Sequence, residues 1–371
     1  MKETIEFTRF RPDRSSPKAL HLQLADELLK QLRALPPNEN MVLPSERTLV
    51  KELEINRMTV HRAYAYLLEN RLVVRNPDKS LSVSRTARKQ LQGSFPVIGI
   101  ILPEKFSIYA RRQISLEYLK GIFDRATELG VSTMMLTPPP PGCDESTVDE
   151  FIGTHCAKLS GIIHLGSRGF ESDNVFEKII DYTGVPQLFI SGDSDRPHIG
   201  SICIDPTGGG SALCQKFRER GVNKVAIIRS RKYHDPLFVY RSKYRAGQME
   251  NIFRENGFEI SCVSTFDSAD KIDTDTSNLP DAFWCHNDEY AKALIKFLND
   301  RDIRVPEDVM VAGFDGIENS FGNMKITTID HRLYDIGYSA VDLILEHYEF
   351  GITGQNRVKM IESFLIPGDT L

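Results

Sequence analysis

The sequence predicts an α/β protein in two parts: a winged helix-turn-helix over residues 1–84 and a two-lobed, doubly wound parallel-sheet domain over residues 97–371. Helical patterns followed by a short hairpin occupy the first part. In the second part, apolar runs of strand length alternate with amphipathic helices, which is typical of parallel sheets covered on both faces. A chain of 371 residues has room for two or three domains.

Three helices are predicted in the head, the segment 1–84. Ser16 is expected to cap the first helix, with Pro17 in its first turn, and Ser45 to cap a short second helix. The third helix is predicted from about Arg57 to Asn70. Apolar residues three and four positions apart give the third helix a buried face, namely Val60, Ala63, Tyr64, Leu67 and Leu68.

A hairpin and a linker are predicted to follow. Two β-like runs, "LVVR" and "SLSVS", are joined by Asn76-Pro77-Asp78-Lys79, a good type I turn with proline at its second position. Residues 85–96, "RTARKQLQGSFP", are polar and basic and are therefore predicted to be a linker.

The body, residues 97–371, contains about ten strand-like runs, enough for two sheets. They begin with "VIGIIL", "VSTMMLT", "GIIHLG" and "PQLFIS" and end with "AFWCHN", "VMVAGFD", "ITTID" and "MIESFLI". Ligands of such folds bind beyond the C-terminal ends of strands, so residues just after each strand are the candidates for a site. Three crossings between the lobes are expected near Asp205-Pro206, Thr328-Ile329 and Gly351.

The charge of the chain is unevenly distributed. Residues 1–96 carry 17 Lys and Arg against 11 Asp and Glu, a net of +6, so the remainder carries −11 of the total of −5. A basic head on an acidic body indicates a polyanionic partner for the head. The six cysteines are scattered without a C-x-x-C motif, and no apolar run could span a bilayer, so we expect a cytoplasmic protein without a metal, a cofactor or a membrane partner.

The third helix opens with hydrogen-bonding side chains that a core helix does not need. The major groove of DNA admits one helix, and the first turn of that helix reads the base edges. The candidate DNA contacts are Arg47, Asn56, Arg57, Met58, Thr59, His61, Arg62 and, at the hairpin tip, Lys79.

The segment "LPSERTLVKELEINRMTVHRAYAYLLENRLVVR" resembles the GntR-type winged helix-turn-helix over about 35 residues. The resemblance implies DNA contacts by Arg47, Asn56, Arg57 and Thr59. The chain departs from the family pattern at His61, where arginine is usual, and in its hairpin, which lacks the usual glycines.

The segment from "FWCHNDEYAKALIKFLNDRDIRVPEDVMVAGFDGIENS" to "KITTIDHRLYDIGYSAVDLIL" resembles the sugar-sensing core of LacI/GalR-type repressors, a fold like that of type I periplasmic binding proteins. A GntR-type head on such a body is the architecture of arabinose-repressor-type proteins. The resemblance implies effector contacts at Asn287, Asp315 and near His331, and an arginine that is either Arg241 or Arg245. Amide and carboxylate groups suit sugar hydroxyls, which both donate and accept hydrogen bonds.

Three further residues are assigned from their positions at strand ends. Phe106 and Phe266 follow strands and are candidates for stacking on a sugar ring, although they are equally candidates for the core. Asp288 is expected to cap the helix that follows it, which leaves Asn287 for the ligand.

The sequence therefore predicts a homodimeric, ligand-responsive transcription factor that binds pseudo-palindromic operator DNA and represses carbohydrate-use genes, with a mono- or oligosaccharide as effector. A non-sugar effector, or one acting as co-repressor, remains an alternative. An enzyme is disfavoured, because the glycine cluster "DPTGGGSA" at 205–212 lacks the lysine of a phosphate-binding loop and neither G-x-S-x-G nor H-E-x-x-H occurs. A transport protein would leave the basic head unexplained.

Overall fold

A computed structural model describes residues 3–4, 10–11, 13, 15–33, 41–70, 72–85, 87, 96–102, 113–165, 174–190, 192, 196–230, 236–266, 269–317 and 319–371. The chain forms two compact units, Met1–Pro96 and Val97–Leu371. Most of the predicted linker, 85–96, lies outside the described residues.

In its described part, the head unit combines helices with a four-stranded sheet. Its elements are β1 (Glu3–Thr4), α1 (Leu20–Arg33), β2 (Met41–Val42), α2 (Glu46–Leu53), α3 (Arg57–Glu69), β3 (Val73–Arg75) and β4 (Leu81–Val83). The strand order is β1-β2-β4-β3, with β1 parallel to β2 and the other pairs antiparallel. This is the predicted arrangement of three helices and a hairpin.

Hydrogen bonds explain where the head helices begin. Ser45 caps α2 as predicted, since its hydroxyl accepts from the Thr48 amide at 3.1 Å. The Tyr64 hydroxyl on α3 donates to the Pro44 carbonyl at 2.6 Å, which fixes α3 against the start of α2. Burial raises the pKa of Tyr64, so the phenol stays protonated and remains a donor.

The prediction that Ser16 caps α1 is wrong, because α1 begins at Leu20. The Ser16 hydroxyl instead accepts from the Lys18 amide at 3.2 Å within a preceding turn. The Gln23 side-chain amide donates to the Lys18 carbonyl at 2.6 Å, so a side chain of the helix holds that turn in place.

The hairpin turn forms as predicted, although its last residue adopts an unusual conformation. The Lys79 amide donates to the Asn76 carbonyl at 2.9 Å, and the Asn76 amide donates to the Ser80 carbonyl at 2.8 Å. Lys79 has a φ of +66°, a left-handed conformation that glycine adopts most readily.

The first lobe of the body is an all-parallel, six-stranded sheet in the order β17-β9-β8-β7-β5-β6. The helices and strands of both lobes are, in chain order, β5 (Val97–Ile101), α4 (Gln113–Glu128), β6 (Ser132–Leu136), α5 (Glu145–Thr154), β7 (Gly161–His164), α6 (Asn174–Ile180), β8 (Gln187–Ile190), β9 (Ile199–Asp205), α7 (Thr207–Glu219), β10 (Lys224–Ser230), α8 (Pro236–Glu255), β11 (Glu259–Phe266), β12 (Ala282–Cys285), α9 (Asp288–Asn299), β13 (Met310–Asp315), β14 (Ser320–Phe321), β15 (Met324–Lys325), β16 (Thr327–Asp330), α10 (Leu333–Phe350), β17 (Val358–Glu362) and β18 (Phe364–Ile366).

The second lobe is a six-stranded sheet in the order β11-β10-β12-β13-β16-β18. All its pairs are parallel except that β18 runs antiparallel to β16 at the edge. The sequence run "MIESFLI", which looks like one strand, is in fact divided between the lobes: β17 pairs with β9 in the first lobe and β18 with β16 in the second. The expectation of one strand in a purely parallel sheet is therefore wrong there.

Because this run is divided between the lobes, the third crossing lies at a different residue from the one predicted. Gly351, with φ +78°, ends α10 and leads to β17 within the first lobe, so it is not a crossing. The third crossing is Ser363, between β17 and β18. The second crossing follows β16, at His331 and Arg332, whereas the predicted Thr328-Ile329 lies within that strand. The first crossing, after Asp205, is where it was predicted.

Helices α4 and α10 pack against each other so closely that their backbones touch. A Cβ atom on Gly121 would lie 2.1 Å from the Tyr334 carbonyl oxygen, and one on Gly337 would lie 2.1 Å from the Tyr118 carbonyl oxygen. Only glycine fits at both positions, so this contact joins two helices distant in sequence.

A buried histidine in the first lobe is held neutral by its surroundings. His164 on β7 lies with its Nε2 atom 2.7 Å from the Gln187 side-chain oxygen, and the Gln187 amide donates to the Ile179 and Tyr182 carbonyls at 2.8 and 2.7 Å. Burial lowers the pKa of His164 to about 4, although the hydrogen bond to Gln187 opposes the shift.

We expect His164 to make the free energy of unfolding fall as the pH drops from about 6.5 to about 4. The unfolded chain binds a proton at this residue in that window and the folded chain does not, so the loss is about 1.4 kcal/mol per pH unit. His164→Gln should flatten the slope of urea-unfolding free energy against pH, and His155→Gln, at an exposed histidine, should leave it unchanged. An unaltered slope in His164→Gln would contradict a neutral, buried imidazole.

Candidate functional site

The N-terminal end of α3 presents hydrogen-bonding side chains to solvent. Its opposite face is buried through Val60, Ala63, Tyr64 and Leu67, as predicted, and Leu68 is half-buried. Of the eight candidate DNA contacts, Thr59 is half-buried and the others are exposed, namely Arg47, Asn56, Arg57, Met58, His61, Arg62 and Lys79. The set lies on three elements of the head: α2, α3 with its cap, and the hairpin tip.

Asn56 and Glu46 shape this surface. The Asn56 side-chain oxygen caps α3 by accepting from the Met58 amide at 2.8 Å, so Asn56 has a structural role in addition to any contact. Glu46 on α2 lies 2.9 Å from the His61 Nδ1 atom and 3.5 Å from the Arg57 Nε atom. The hydrogen bond from His61 lowers the pKa of Glu46, so its carboxylate stays charged.

The same contacts orient the basic side chains. Arg57 remains 82% exposed, so its guanidinium can reach a partner outside the head. Sequence reasoning missed Glu46, although the "LPSER" segment places it at the start of α2, where an acidic residue is favourable. This surface can approach a polyanion with a helix N-terminus and several cationic groups.

A second candidate site lies at the C-terminal ends of strands in the second lobe. Arg245 on α8 donates to Asp315 at 3.0 Å and to the His286 carbonyl at 2.9 Å. The His331 Nδ1 atom lies 2.9 Å from Arg245 Nη2 and 3.0 Å from Asp315 Oδ1. The side chains of Arg245, Asp315 and His331 are 18%, 7% and 5% exposed, so the cluster is largely shielded from water.

Electrostatics keep the buried carboxylate ionised. Burial by itself would raise the pKa of Asp315, but the Arg245 charge and the His331 hydrogen bond hold it below its usual range. Asp315 also has a φ of +115°, a strained conformation of the kind found at functional sites.

An aromatic layer supports the cluster. The Arg245 guanidinium lies 4.2 Å from the centre of the Phe314 ring, and Phe314 contacts the Trp284 ring edge to face at 6.3 Å. Trp284 is the single tryptophan of the chain. Its fluorescence should therefore report on changes at the cluster.

Asn287 caps the helix that Asp288 was expected to cap, and its effector contact stays a prediction. Asn287 is the cap of α9, since its side-chain oxygen accepts from the Tyr290 amide at 3.0 Å. The prediction that Asp288 caps this helix is wrong. Asp288 accepts from the Thr328 hydroxyl at 2.6 Å and from the Gly316 amide at 2.9 Å, and so ties α9 to β16 and to the end of β13.

Asp288 is the carboxyl group in this site that titrates near neutral pH. Burial raises its pKa to about 7, and the Asp315 charge adds to the shift. One carboxyl that is mostly ionised therefore stands near one that exchanges a proton near neutral pH, an arrangement typical of functional sites.

The remaining predicted effector residues have different outcomes. Arg245 belongs to the cluster, whereas nothing is described for the side chain of Arg241. Phe106 lies outside the described residues. Phe266 is half-buried at the end of β11, where its carbonyl accepts from the Tyr290 hydroxyl at 3.3 Å.

Sequence reasoning missed three residues near this cluster. Tyr118 of the first lobe places its hydroxyl 3.5 Å from the His331 Nε2 atom, His286 contributes a carbonyl and a buried ring, and Thr328 binds Asp288. Burial and the Arg245 charge lower the pKa of His286 to about 3. Only His286 had a sequence signal, since it directly follows a strand.

The described residues show neither a candidate metal site nor a membrane-spanning helix. They contain no group of three or more histidine, cysteine or acidic side chains placed to hold a metal ion. Among the helices described, none is long and apolar enough to cross a membrane.

Comparison with known families assigns a domain type to part of each unit. Residues 20–83 match the family of bacterial regulatory proteins called the gntR family, and residues 214–371 match a periplasmic-binding-protein-like domain. The two matches fall in the head unit and the body unit respectively.

The related proteins include a transcriptional repressor and a catabolite control protein. The chain is 28% identical over 176 residues to the HTH-type transcriptional repressor PurR of Aliivibrio salmonicida, which is 44% of this chain and 51% of the relative. It is 21% identical over 261 residues to catabolite control protein A of Staphylococcus aureus, covering 67% and 74% of the two chains. The chain spans about half the length of the PurR repressors that it matches.

Solved structures share the fold of the body. A Lac repressor dimer bound to operator and an anti-inducer gives a TM-score of 0.59 at 19% identity, covering 76% of this chain and 96% of that one. A LacI-type regulator from Alkaliphilus metalliredigens in complex with D-xylulofuranose gives 0.53 at 18% identity, covering 74% and 98%. At these identities the likeness shows the fold.

Proposed function

Because the chain joins a helix-turn-helix of the gntR family of bacterial regulatory proteins to a periplasmic-binding-protein-like domain, we propose that it is a cytoplasmic, ligand-responsive transcriptional repressor. The observation that carries the proposal is the first turn of α3, which is capped by Asn56 and exposes Arg57, Met58 and His61. One of the related proteins named above is a transcriptional repressor and another is a catabolite control protein, which supports a role in regulation.

In this proposal, α3 enters the major groove of operator DNA. Arg57 makes a bidentate contact to guanine, Thr59 and Arg62 bind nearby bases or phosphates, and Arg47 binds the backbone. Lys79 contacts the DNA from the hairpin tip. Two heads of a homodimer read the halves of a pseudo-palindrome.

The effector in this proposal is a mono- or oligosaccharide bound between the lobes, near Arg245, Asp315 and His331. Groups that donate and accept hydrogen bonds at the ends of parallel strands support a ligand rich in hydroxyls. Asn287 contributes through its amide nitrogen, because its oxygen caps α9. The effector weakens DNA binding by about 5–150-fold, the usual range of allosteric coupling.

Fluorescence anisotropy with the DNA upstream of the protein's own gene tests the proposal at fixed salt. The titrations include a panel of pentoses, hexoses and their phosphates. Specific binding that one sugar releases would support a DNA-binding head, a sugar effector and an effector that weakens DNA binding. Specific binding that no compound alters would overturn the sugar effector and keep the DNA-binding head.

We expect Arg57→Ala to weaken specific operator binding by about 5–150-fold, since a bidentate base contact is worth roughly 1–3 kcal/mol. The variant should also discriminate less between the operator and DNA changed at the contacted base. The matched control is Arg254→Ala, an exposed arginine of α8 paired with Glu250, which should leave DNA affinity unchanged. Equal affinity in Arg57→Ala and wild type would remove Arg57 from the interface.

A further inference from the structure

The ring of His61 on α3 is held by the carboxylate of Glu46, the first residue of α2. The His61 Nδ1 atom lies 2.9 Å from one Glu46 oxygen, and the Arg57 Nε atom lies 3.5 Å from the other. The hydrogen bond from His61 lowers the pKa of Glu46, so the carboxylate is ionised and can only accept. The proton of this hydrogen bond therefore lies on Nδ1 of His61.

The backbone of Glu46 has a fixed position relative to α3. Ser45 caps α2 by accepting from the Thr48 amide at 3.1 Å. The Tyr64 hydroxyl of α3 donates to the Pro44 carbonyl at 2.6 Å, so the two helices are joined directly before Glu46. The carboxylate is therefore well placed to orient a side chain of α3.

The other ring nitrogen of His61, Nε2, faces the surface. The side chain is 61% exposed, and within the described part of the chain no group hydrogen-bonds to Nε2. Arg57 lies four positions earlier, on the same face of α3, and is 82% exposed. The surface that faces DNA in the proposed function thus presents Nε2 beside the Arg57 guanidinium.

The charge of this group of side chains depends on Nε2 alone. Because Nδ1 keeps its proton, a neutral ring has a lone pair at Nε2 and accepts, whereas a protonated ring has an N–H there and donates. Glu46, Arg57 and His61 together carry a net charge of zero with a neutral ring and +1 with a protonated ring. Histidine is the type of side chain that changes its charge between about pH 5 and 8.

The neighbouring elements contribute few other charges around the ring. Arg62 follows His61 in the chain, and Arg47 is exposed on α2. The helix α1 also packs on α3, but it contacts the buried face through apolar residues. Among the described residues, Glu46 is the charged group hydrogen-bonded to the ring, and Arg57 reaches the same carboxylate.

We propose that His61 binds DNA in its protonated form by donating from Nε2, and that Glu46 is a positioning residue that keeps the other proton on Nδ1 and turns Nε2 outward. The acceptor on the DNA is a phosphate oxygen or the O6 or N7 atom of guanine. A polyanion favours the protonated ring, so binding takes up a proton and the affinity for DNA falls as the pH rises. Arginine, which is usual at this position, stays charged over the same range and would not give this dependence.

The inference rests on the proposed DNA binding, and anisotropy titrations of the full chain at fixed salt test it between about pH 6 and about pH 8.5. The affinity of the wild type for the operator should fall by about tenfold over this range, because one charge-assisted contact is lost. His61→Arg should bind at the alkaline end as tightly as the wild type does at the acidic end. His61→Gln should bind weakly at every pH, and the control His155→Gln, at an exposed histidine of the body, should keep the wild-type profile.

An unrelated duplex identifies the acceptor. If the acceptor is a phosphate, the pH dependence also occurs on unrelated DNA, and the slope of log affinity against log salt is steeper by about 1 at the acidic end. If the acceptor is guanine, the dependence occurs on the operator alone and is lost when the contacted base pair is changed. Equal affinity of the wild type at both ends of the pH range, on both duplexes, would overturn the proposal.

Nitrogen-15 NMR of the DNA-free chain tests the role of Glu46. At alkaline pH the signals of His61, identified by their absence in His61→Arg, should show a protonated Nδ1 and an unprotonated Nε2. Glu46→Ala should populate both tautomers, whereas Glu69→Ala, at an exposed residue at the other end of α3, should change neither signal. A wild-type ring protonated at Nε2 in place of Nδ1 would overturn the positioning role. Absence of DNA binding at every pH would overturn the repressor as well, whereas binding that is independent of pH overturns this inference alone.

Discussion

Replacing Gly337 with alanine is expected to lower the free energy of unfolding of the body unit by about 3 kcal/mol or more, the upper end for overpacking. The added methyl carbon would lie 2.1 Å from the Tyr118 carbonyl oxygen and 2.9 Å from its carbonyl carbon. Backbone cannot move aside as a flexible side chain can, so α4 and α10 would have to separate along their contact.

Gly153→Ala is the matched control for Gly337→Ala, because it makes the same substitution in a helix of the same lobe. Nothing lies within 4 Å of its added Cβ atom, so we expect a stabilisation of up to about 1 kcal/mol from the better helix propensity of alanine. Urea unfolding followed by circular dichroism and Trp284 fluorescence measures both. Equal stabilities for the two variants would show that the helices do not touch at Gly337.

The second large effect is expected at Arg245. Arg245→Ala leaves the Asp315 carboxylate, 7% exposed, without its cation, and breaking a buried pair in this way costs about 3–5 kcal/mol. The variant also loses the stacking on Phe314, so the fluorescence of Trp284 beneath it should change. Unfolding in urea at pH 7.5 measures the loss.

The pH dependence identifies the cause of that loss. In the wild type the folded-state pKa of Asp315 is lowered, so its contribution to stability is present above the unfolded-state pKa near 4 and is lost as the pH falls through the folded value. In Arg245→Ala, protonation of Asp315 removes the uncompensated charge. The difference between variant and wild type should therefore shrink towards acidic pH.

Two further variants separate charge from packing. Arg245→Ala combined with Asp315→Asn should recover part of the stability, because no buried charge remains. Arg254 is exposed on the opposite face of the same helix, and Arg254→Ala should lower the free energy of unfolding by less than about 1 kcal/mol. If Arg245→Ala were as stable as Arg254→Ala at pH 7.5, the buried pair would not hold the strand ends together.

Much of the head could be predicted from the sequence. Ser45, the buried face of α3 and the turn at Asn76 depend on neighbours within about five residues, and spacing in the chain reports such contacts directly. The alternation of strands and helices in the body is equally local, so the fold class followed from it. The predicted DNA contacts are exposed or half-buried as the prediction requires, and their role in binding stays a prediction.

Only the tertiary structure decided the arrangement of the second site. Along the chain, Asp315 lies 70 residues from Arg245 and His331 lies 86 residues from it. Their contacts with Arg245 therefore depend on sheet register, which spacing in the sequence does not reveal. The same holds for Asn287 and Asp288. Both residue types can cap a helix. Asn287 is the cap because the Asp288 carboxylate is hydrogen-bonded to Thr328 on a distant strand.

The glycines of residues 205–212 were also explained partly by the sequence and partly by the tertiary structure. The sequence determined that "DPTGGGSA" is not a phosphate loop, since the lysine is absent. The structure shows that Gly209 contacts Ser363, which lies 154 residues away along the chain. Ser363 belongs to a run that looks like one strand in the sequence but is divided between two sheets. Local patterns determine which elements form because they depend on near neighbours, whereas crossings and sites depend on contacts that form only when distant strands pair.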